Sequence, residues 1–511
     1  MSFRSILFDG PSVGTGARAR EQPDFFSDLR LDQIVAAVTA GREEYDLAPF
    51  FHAPLTDVET ITYRHEVFRD LEDPVLRGRV QAFAENMRAM RDSLGRAAKR
   101  HYRYEKERWF LDSASAYCGA VTQLTDDLAH LDVKSRGLLG LRAHLRTYLQ
   151  SVEFVALLSD TQRLEADLDG VRYRLHVLGS RIKVSRHDPD PDYTAEVERT
   201  FEKFKQGAAK DYRFEVPSGP GLNHVEAEIL HRVARLHPEI FAALDEYCVR
   251  HRHYLEQTIA RFDREVQFYI AYLAHVERFR PVGLTFCYPE VTVQSKESRG
   301  RAVFDLALAR VLVGEHSPVI TNDFDLTSPE RILVVSGPNQ GGKTTFARTV
   351  GQMHHLAAIG CPVPGADARL FLVDQIFTHF EREEDLQNLS GKLEDDLRRI
   401  HWILERATPD SLLLMNESFT STTVNDALLL NTKVLRAIIE RDMLCVSVTF
   451  LDELSSLGET TVSMVGTVDA EDPARRTFKI VRRQADGLAY AWAIAEKHRL
   501  TYDGVKGRLA R

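Results

Sequence analysis

The run Gly337 to Thr345, Gly-Pro-Asn-Gln-Gly-Gly-Lys-Thr-Thr, constrains this chain more than any other stretch of it. An apolar segment, Ile332-Leu333-Val334-Val335, leads into the run, and a helix-compatible segment beginning Phe346-Ala347-Arg348 leaves it. Strand, glycine-rich loop and helix in that order form a P-loop. Gly337, Gly341 and Gly342 leave room for backbone N–H groups to close on phosphate oxygens, and the following helix N-terminus adds partial positive charge. In such a loop Lys343 reaches the β- and γ-phosphates and the Thr344 hydroxyl sits on Mg2+. ATP with Mg2+ is the expected ligand, held by Gly337, Pro338, Asn339, Gln340, Gly341, Gly342, Lys343, Thr344 and Thr345.

A second apolar run, Leu412 to Met415, ends in Asn416-Glu417, the form of a Walker B strand. Such strands end in Asp-Glu, where the Asp holds Mg2+ through water and the Glu polarises the attacking water. Here Asn416 stands at the Asp position: its amide oxygen accepts a hydrogen bond from magnesium-bound water but carries no charge. Thr344 and Asn416 are thus the metal-side residues and Glu417 the general base of a weak ATPase. Between the two motifs lies Asp385 to Leu393, with Ser390-Gly391 just ahead of the helical run Glu394 to Leu404. A Ser-Gly pair opening a helix presents backbone N–H groups to an anion; the same pair also serves as a plain cap.

A chain of 511 residues holds more than one domain. Residues 1–40 carry Gly, Pro and charge without periodicity and read as an extension of uncertain order. Residues 41–159 are helical in pattern. Residues 160–222 form a small α+β inset: Val171 to Val177 and Arg181 to Ser185 alternate as strands, a helix runs from Tyr193 to Lys205, and Tyr212 to Val216 is a further strand. Over 223–290, Leu255, Ile259, Phe262, Val266, Tyr269, Leu273 and Val276 recur at spacings of four and three, a seam on one long helix. Residues 291–511 complete an α/β P-loop ATPase of the ABC type. Five scattered cysteines without a CxxC pair exclude a disulfide framework or zinc ribbon. With only Ile6-Leu7-Phe8 as an N-terminal apolar run and no membrane-length span, a cytoplasmic protein is expected.

Gly337 to Thr345, the Ile359-Gly-Cys-Pro-Val-Pro364 run, Asp374-Gln-Ile-Phe-Thr378 and Leu414-Met-Asn-Glu-Ser-x-x-x-Thr-Thr423 together resemble the MutS mismatch-repair family over residues 318 to about 500. A weaker likeness at Pro54-Leu55-Thr56-Asp57, with Ile61, Arg64, Val67 and Leu71, resembles the opening of the family's helical core, or lever. The resemblance implies that the 160–222 inset is a clamp on the DNA backbone and that the flanking helices are the lever. It implies a homodimer with composite nucleotide sites, in which Ser390 acts in trans beside Lys343 and Glu417. Two departures weaken turnover. Asn416 lacks the acid, and Phe450 stands where the family's strand ends in histidine. Fewer than 50 residues precede the core likeness, so the N-terminal mismatch-reading domain is expected to be missing; Phe83-Ala-Glu85 has the letters of its wedge but lies in a helical pattern.

The net charge of -9 excludes a surface that is basic all over, not a local basic channel. Arg172, Arg174, Arg181, Lys183 and Arg186 cluster in the inset and are the expected contacts to double-stranded or branched DNA, neutralising phosphates without reading sequence. Arg96, Lys99, Arg100, Arg103 and Lys106 read as one helix face that is either a second basic patch or merely solvated. The leading expectation is an ATP-gated DNA clamp of the repair and recombination class. The alternative is a non-catalytic, nucleotide-gated scaffold that grips RNA, a ribosome or another protein.

Overall fold

The computed structural model describes residues 3–9, 21–179, 181–187, 221–381, 391–469, 471–472 and 475–485. The chain divides into two compact units. One holds Pro74–Val133 and Gly140–Asp263; the other holds Phe3–Asp73, Lys134–Leu139 and the chain from Arg264 onward.

Within the N-terminal stretch, the described residues 3–9 are ordered against the second unit. Ile6 and Leu7 are fully buried in the second unit. The Glu265 carboxylate accepts from Ser5 Oγ at 2.8 Å and from the Ile6 amide at 3.0 Å, while Tyr63 and Tyr269 donate to the carbonyls of Ser5 and Ile6. Helices α1 (Phe25–Leu29) and α2 (Leu31–Thr39) follow. Short helix α3 (Ala48–His52) leads to α4 (Val58–Leu71), whose N-cap Asp57 accepts from the Thr60 amide at 2.6 Å. A segment this short buries its few apolar residues through tertiary contacts, so it leaves no periodic signal.

In the first unit, α5 (Pro74–Lys99) and α6 (Arg103–His130) are separate helices. The basic run from Arg96 to Lys106 therefore straddles the turn between them and is not one helix face. Arg96 lies over the Trp109 ring at 5.0 Å and Arg100 faces Glu105 at 3.2 Å. Phe83 is buried on α5, as the helical pattern requires. Helices α7 (Arg136–Leu149) and α8 (Val152–Asp169) precede the hairpin β1 (Tyr173–Leu178) and β2 (Arg181–Arg186). The expected elements at 193–205 and 212–216 lie outside the described residues.

The expected single helix over 223–290 is three: α9 (His224–Leu236), α10 (Pro238–Arg250) and α11 (Gln257–Glu277). A capping box of Asn223 and Glu226 starts the first. Pro238 has no N–H to give and its ring blocks the preceding turn, so it begins a new helix. The second break falls before Gln257, where Glu256 Oε2 accepts from the Ile259 amide at 2.7 Å. The seam is buried from Ile259 to Val276, whereas Leu255 is partly exposed ahead of the helix.

Among its described residues the second unit carries a six-stranded sheet, a four-stranded sheet and a two-stranded one. Strands β3 (Phe286–Cys287), β4 (Glu290–Thr292) and β5 (Ser298–Val303), helix α12 (Leu306–Gly314) and β6 (Asn322–Leu326) lead to β7 (Ile332–Ser336) and α13 (Lys343–Ala358). Then come β8 (Val363–Pro364), β9 (Asp367–Phe371), β10 (Ile376–His379), α14 (Lys392–Arg406) and β11 (Leu412–Asn416). The last are α15 (Val424–Glu440), β12 (Leu444–Val448), β13 (Thr461–Val468) and β14 (Arg476–Arg482). The main sheet runs β10-β11-β12-β7-β13-β14, parallel except for the antiparallel edge strand β14. All five residues of β7 and of β12 are buried, as a parallel sheet covered on both faces demands. The second sheet runs β4-β9-β5-β6. Helix α1 packs beside α13: Arg348 Nε donates to Asp28 O at 3.0 Å and Gln352 Nε2 to Leu29 O at 2.9 Å. No helix among the described residues is long and apolar enough to cross a membrane.

Candidate nucleotide site

Ligands in open parallel sheets bind outside the carboxyl ends of the strands. The carboxyl end of β7 opens into the glycine-rich loop. Gly337 has φ 118° and Gly342 φ 90°. A Cβ on Gly337 would lie 2.9 Å from the Gly466 amide nitrogen, so glycine is required there by space and by conformation. Gly342 caps α13, whose first residues are Lys343 and Thr344. The Lys343 ammonium folds back over the loop and donates to Gly337 O at 3.0 Å, Pro338 O at 3.3 Å and Asn339 Oδ1 at 3.4 Å. Burial pushes its pKa down; Glu417, 3.9 Å away, opposes that and Arg476 adds to it.

The end of β11 supplies the other side. Thr344 Oγ1 donates to Asn416 Oδ1 at 2.7 Å, so the two residues expected on the metal side touch. The Glu417 side chain is one-third exposed, with its amide donating to Val448 O at 2.9 Å. Thr449 is buried beyond β12, and Phe450 follows it with 48% of its surface exposed. Ser390 lies outside the described residues; α14 begins just after it, with Gly391 as N-cap and Glu394 and Asp395 in the first turn.

Sequence reasoning missed the contribution of β14. Arg476 Nε donates to Asn339 O at 3.2 Å. Phe478 has φ 57°, is 48% exposed, and its ring lies 3.7 Å from where a Cβ on Gly342 would stand. Asn322 fixes that strand, donating to Phe478 O at 3.2 Å and accepting from the Ile480 amide at 2.8 Å. No local pattern around Arg476-Thr-Phe478 marks these residues; a β-edge antiparallel to its neighbour brings them in.

The basic inset resolves into two kinds of residue. In the β1–β2 register Arg174 stands opposite Ser185 and His176 opposite Lys183, with Arg181 next along the same face. The other face pairs Leu175 with Val184 and Val177 with Ile182. Arg172 is tied to the carbonyls of Asp169 and Val171 at 2.6 and 3.1 Å, and Arg186 to Leu236 O at 3.0 Å. Those two arginines hold the hairpin to its base. Arg174, Arg181 and Lys183 form the basic face.

A glycine loop after a buried parallel strand, a lysine folded over it and a carboxylate at the end of a nearby strand define a P-loop α/β domain. The comparisons place it more narrowly. The family profile described as MutS domain V matches residues 333–500. The DNA mismatch repair protein MutS of Chlorobaculum tepidum is 28% identical over 337 residues, 64% of this chain and 36% of that protein. Endonuclease MutS2 of Thermus thermophilus is 30% identical over 40% of this chain and 29% of its own length. DNA mismatch repair protein MSH4 of Arabidopsis thaliana is 28% identical over 36% of this chain and 22% of its own length. Residues 333–500 thus match MutS domain V, and the chain is similar to MutS-family proteins. Its matches span about a third or less of these relatives' length.

Proposed function

We propose that this chain is an ATP-binding, DNA-binding protein of the repair class, in which Mg-ATP uptake and slow hydrolysis gate the grip on DNA. The contact of Thr344 with Asn416, beside Lys343 and Glu417, carries the reading. The positive-φ glycines leave the backbone free to close on phosphate, and the Lys343 ammonium, freed from loop carbonyls, neutralises it. Thr344 and Asn416 would hold Mg2+, which supplies charge neutralisation at the phosphates. Glu417 accepts a proton from the attacking water, while the exposed Phe478 ring offers a stacking face for the base. A second copy of the chain would complete the site through Ser390. The basic face of β1–β2 would contact phosphates of duplex or branched DNA.

The test is Mg-ATP binding and turnover by the full chain. Lys343→Ala should abolish binding, and Glu417→Ala should spare binding while stopping hydrolysis. Turnover that survives Glu417→Ala removes the general-base assignment. A second reading, a nucleotide-gated scaffold without useful turnover, is favoured by the uncharged Asn416 and predicts tight binding with no hydrolysis.

A further inference from the structure

The turn that carries Glu417 is strained. Glu417 has φ 51° and Phe419 φ 61°, both left-handed and neither glycine. Each such residue carries backbone strain and persists only where its surroundings over-determine it. Those surroundings converge on Ser418, between them. Asn431 Nδ2 donates to Ser418 O at 3.3 Å. Ser418 Oγ lies 2.8 Å from Nδ1 of His379, the last residue of β10. His379 Nε2 in turn comes within 3.4 Å of Asp396 Oδ1, on α14, without a hydrogen bond between them. The three side-chain-bearing residues are closed off from solvent, at 7%, 2% and 9% exposure for Ser418, His379 and Asp396.

Serine, histidine and aspartate in a row also suit nucleophilic catalysis. Burial opposes that use here, because a hydroxyl so enclosed gives a substrate carbonyl no approach. The same burial suits a strut. With Nδ1 sharing a hydrogen bond with the Ser418 hydroxyl, the ring turns its Nε2 edge toward Asp396, so one side chain spans both groups. Deleting the ring leaves the Ser418 hydroxyl buried without its partner and removes a restraint from the strained turn.

We propose that His379 is a positioning residue: through Ser418 and Asp396 it ties the turn bearing Glu417 to α14, the helix that follows the Ser390 segment. The inference rests on reading Glu417 as the hydrolytic carboxylate. A displacement of that carboxylate by about 1 Å is enough to lower the rate about 10²-fold.

The full chain is compared with His379→Gln, His379→Leu and Asp396→Asn for ATP turnover, ATP binding and backbone hydrogen exchange over residues 412–423. His379→Leu and Asp396→Asn should lower kcat about 10²-fold while KM and the ATP Kd stay near wild type. Both should speed exchange in the Ser418–Phe419 turn, and His379→Gln, whose amide still bridges, should recover rate and protection together. Unchanged kcat and exchange in His379→Leu overturn the proposal. Loss of ATP affinity that glutamine does not rescue overturns it too, since that marks packing alone. Should the wild-type protein hydrolyse no ATP, the hydrolytic reading fails by itself and exchange still decides: faster exchange in Asp396→Asn supports the tether, and unaltered exchange removes it.

Discussion

Replacing Gly337 with alanine tests the loop geometry directly. The added methyl would meet the Gly466 backbone, with N at 2.9 Å, O at 3.0 Å and Cα at 3.1 Å. Relaxed contacts between non-bonded carbons lie at about 3.5–4.0 Å. Gly466 has little room to recede, because it sits on β13 in register with Ile480 of β14 while its neighbour Val465 pairs with Ser336 of β7. The positive φ of 118° adds backbone strain of about 1–3 kcal/mol, and overpacking a tight site adds about 1–3 kcal/mol. We expect a combined loss of about 2–6 kcal/mol, divided between unfolding of the sheet-bearing unit and affinity for Mg-ATP. Denaturant unfolding and calorimetric ATP titration read the two shares. Gly78→Ala and Gly95→Ala are the controls: both positions lie on α5 with nothing within 4 Å of a built Cβ, and alanine there should add about 0.5–1 kcal/mol. A Gly337→Ala protein that unfolds at the wild-type midpoint and binds ATP with unchanged Kd would refute the reasoning.

Three further outcomes follow from other parts of the molecule. His354, His355 and His275 are held neutral by burial, with pKa values pushed down to about 4 from 6.5; the unfolded chain binds more protons between those values, so stability should fall as pH drops from about 6.5 toward 4, by about 3 kcal/mol per group at full effect. Unfolding midpoints measured across that range check the sign, and a flat profile would contradict it. Neutralising Arg174, Arg181 and Lys183 together should reduce the salt slope of duplex binding by about 3, whereas Arg172→Gln or Arg186→Gln should loosen the hairpin in hydrogen exchange with a smaller change in slope. Asn416→Asp should raise ATP turnover by restoring charge on the metal side; an unchanged kcat would mean the missing charge is not what limits the rate.

The glycines and Lys343 could be read from sequence because phosphate binding demands contiguous residues at fixed spacing. Thr344 could be placed because it follows the loop lysine directly at the start of α13, and Asn416 because it ends a recognisable apolar strand. Phe478 and Arg476 could not, since sheet order brings them to the loop across more than 130 residues of chain. Periodicity also overran its evidence. The 3–4 spacing through Val276 is real, but Pro238 and the cap at Glu256 decide where helices stop. Arg96 to Lys106 shows the same limit, because charge spacing does not reveal the turn at residues 100–102. The buried N-terminal residues and the His379 strut were invisible for a common reason: their partners lie 17 to 263 positions away.

The seating of α1 against α13, and of Ile6 and Leu7 in the same unit, means that the unit bearing the glycine-rich loop is not a contiguous piece of gene. A fragment cut out as the C-terminal half would leave behind the wedge its own core was shaped around. Cloning boundaries or tags that disturb Ser5 to Leu7 or α1 thus act on the packing around the glycine-rich loop's helix, though that loop is encoded three hundred codons downstream.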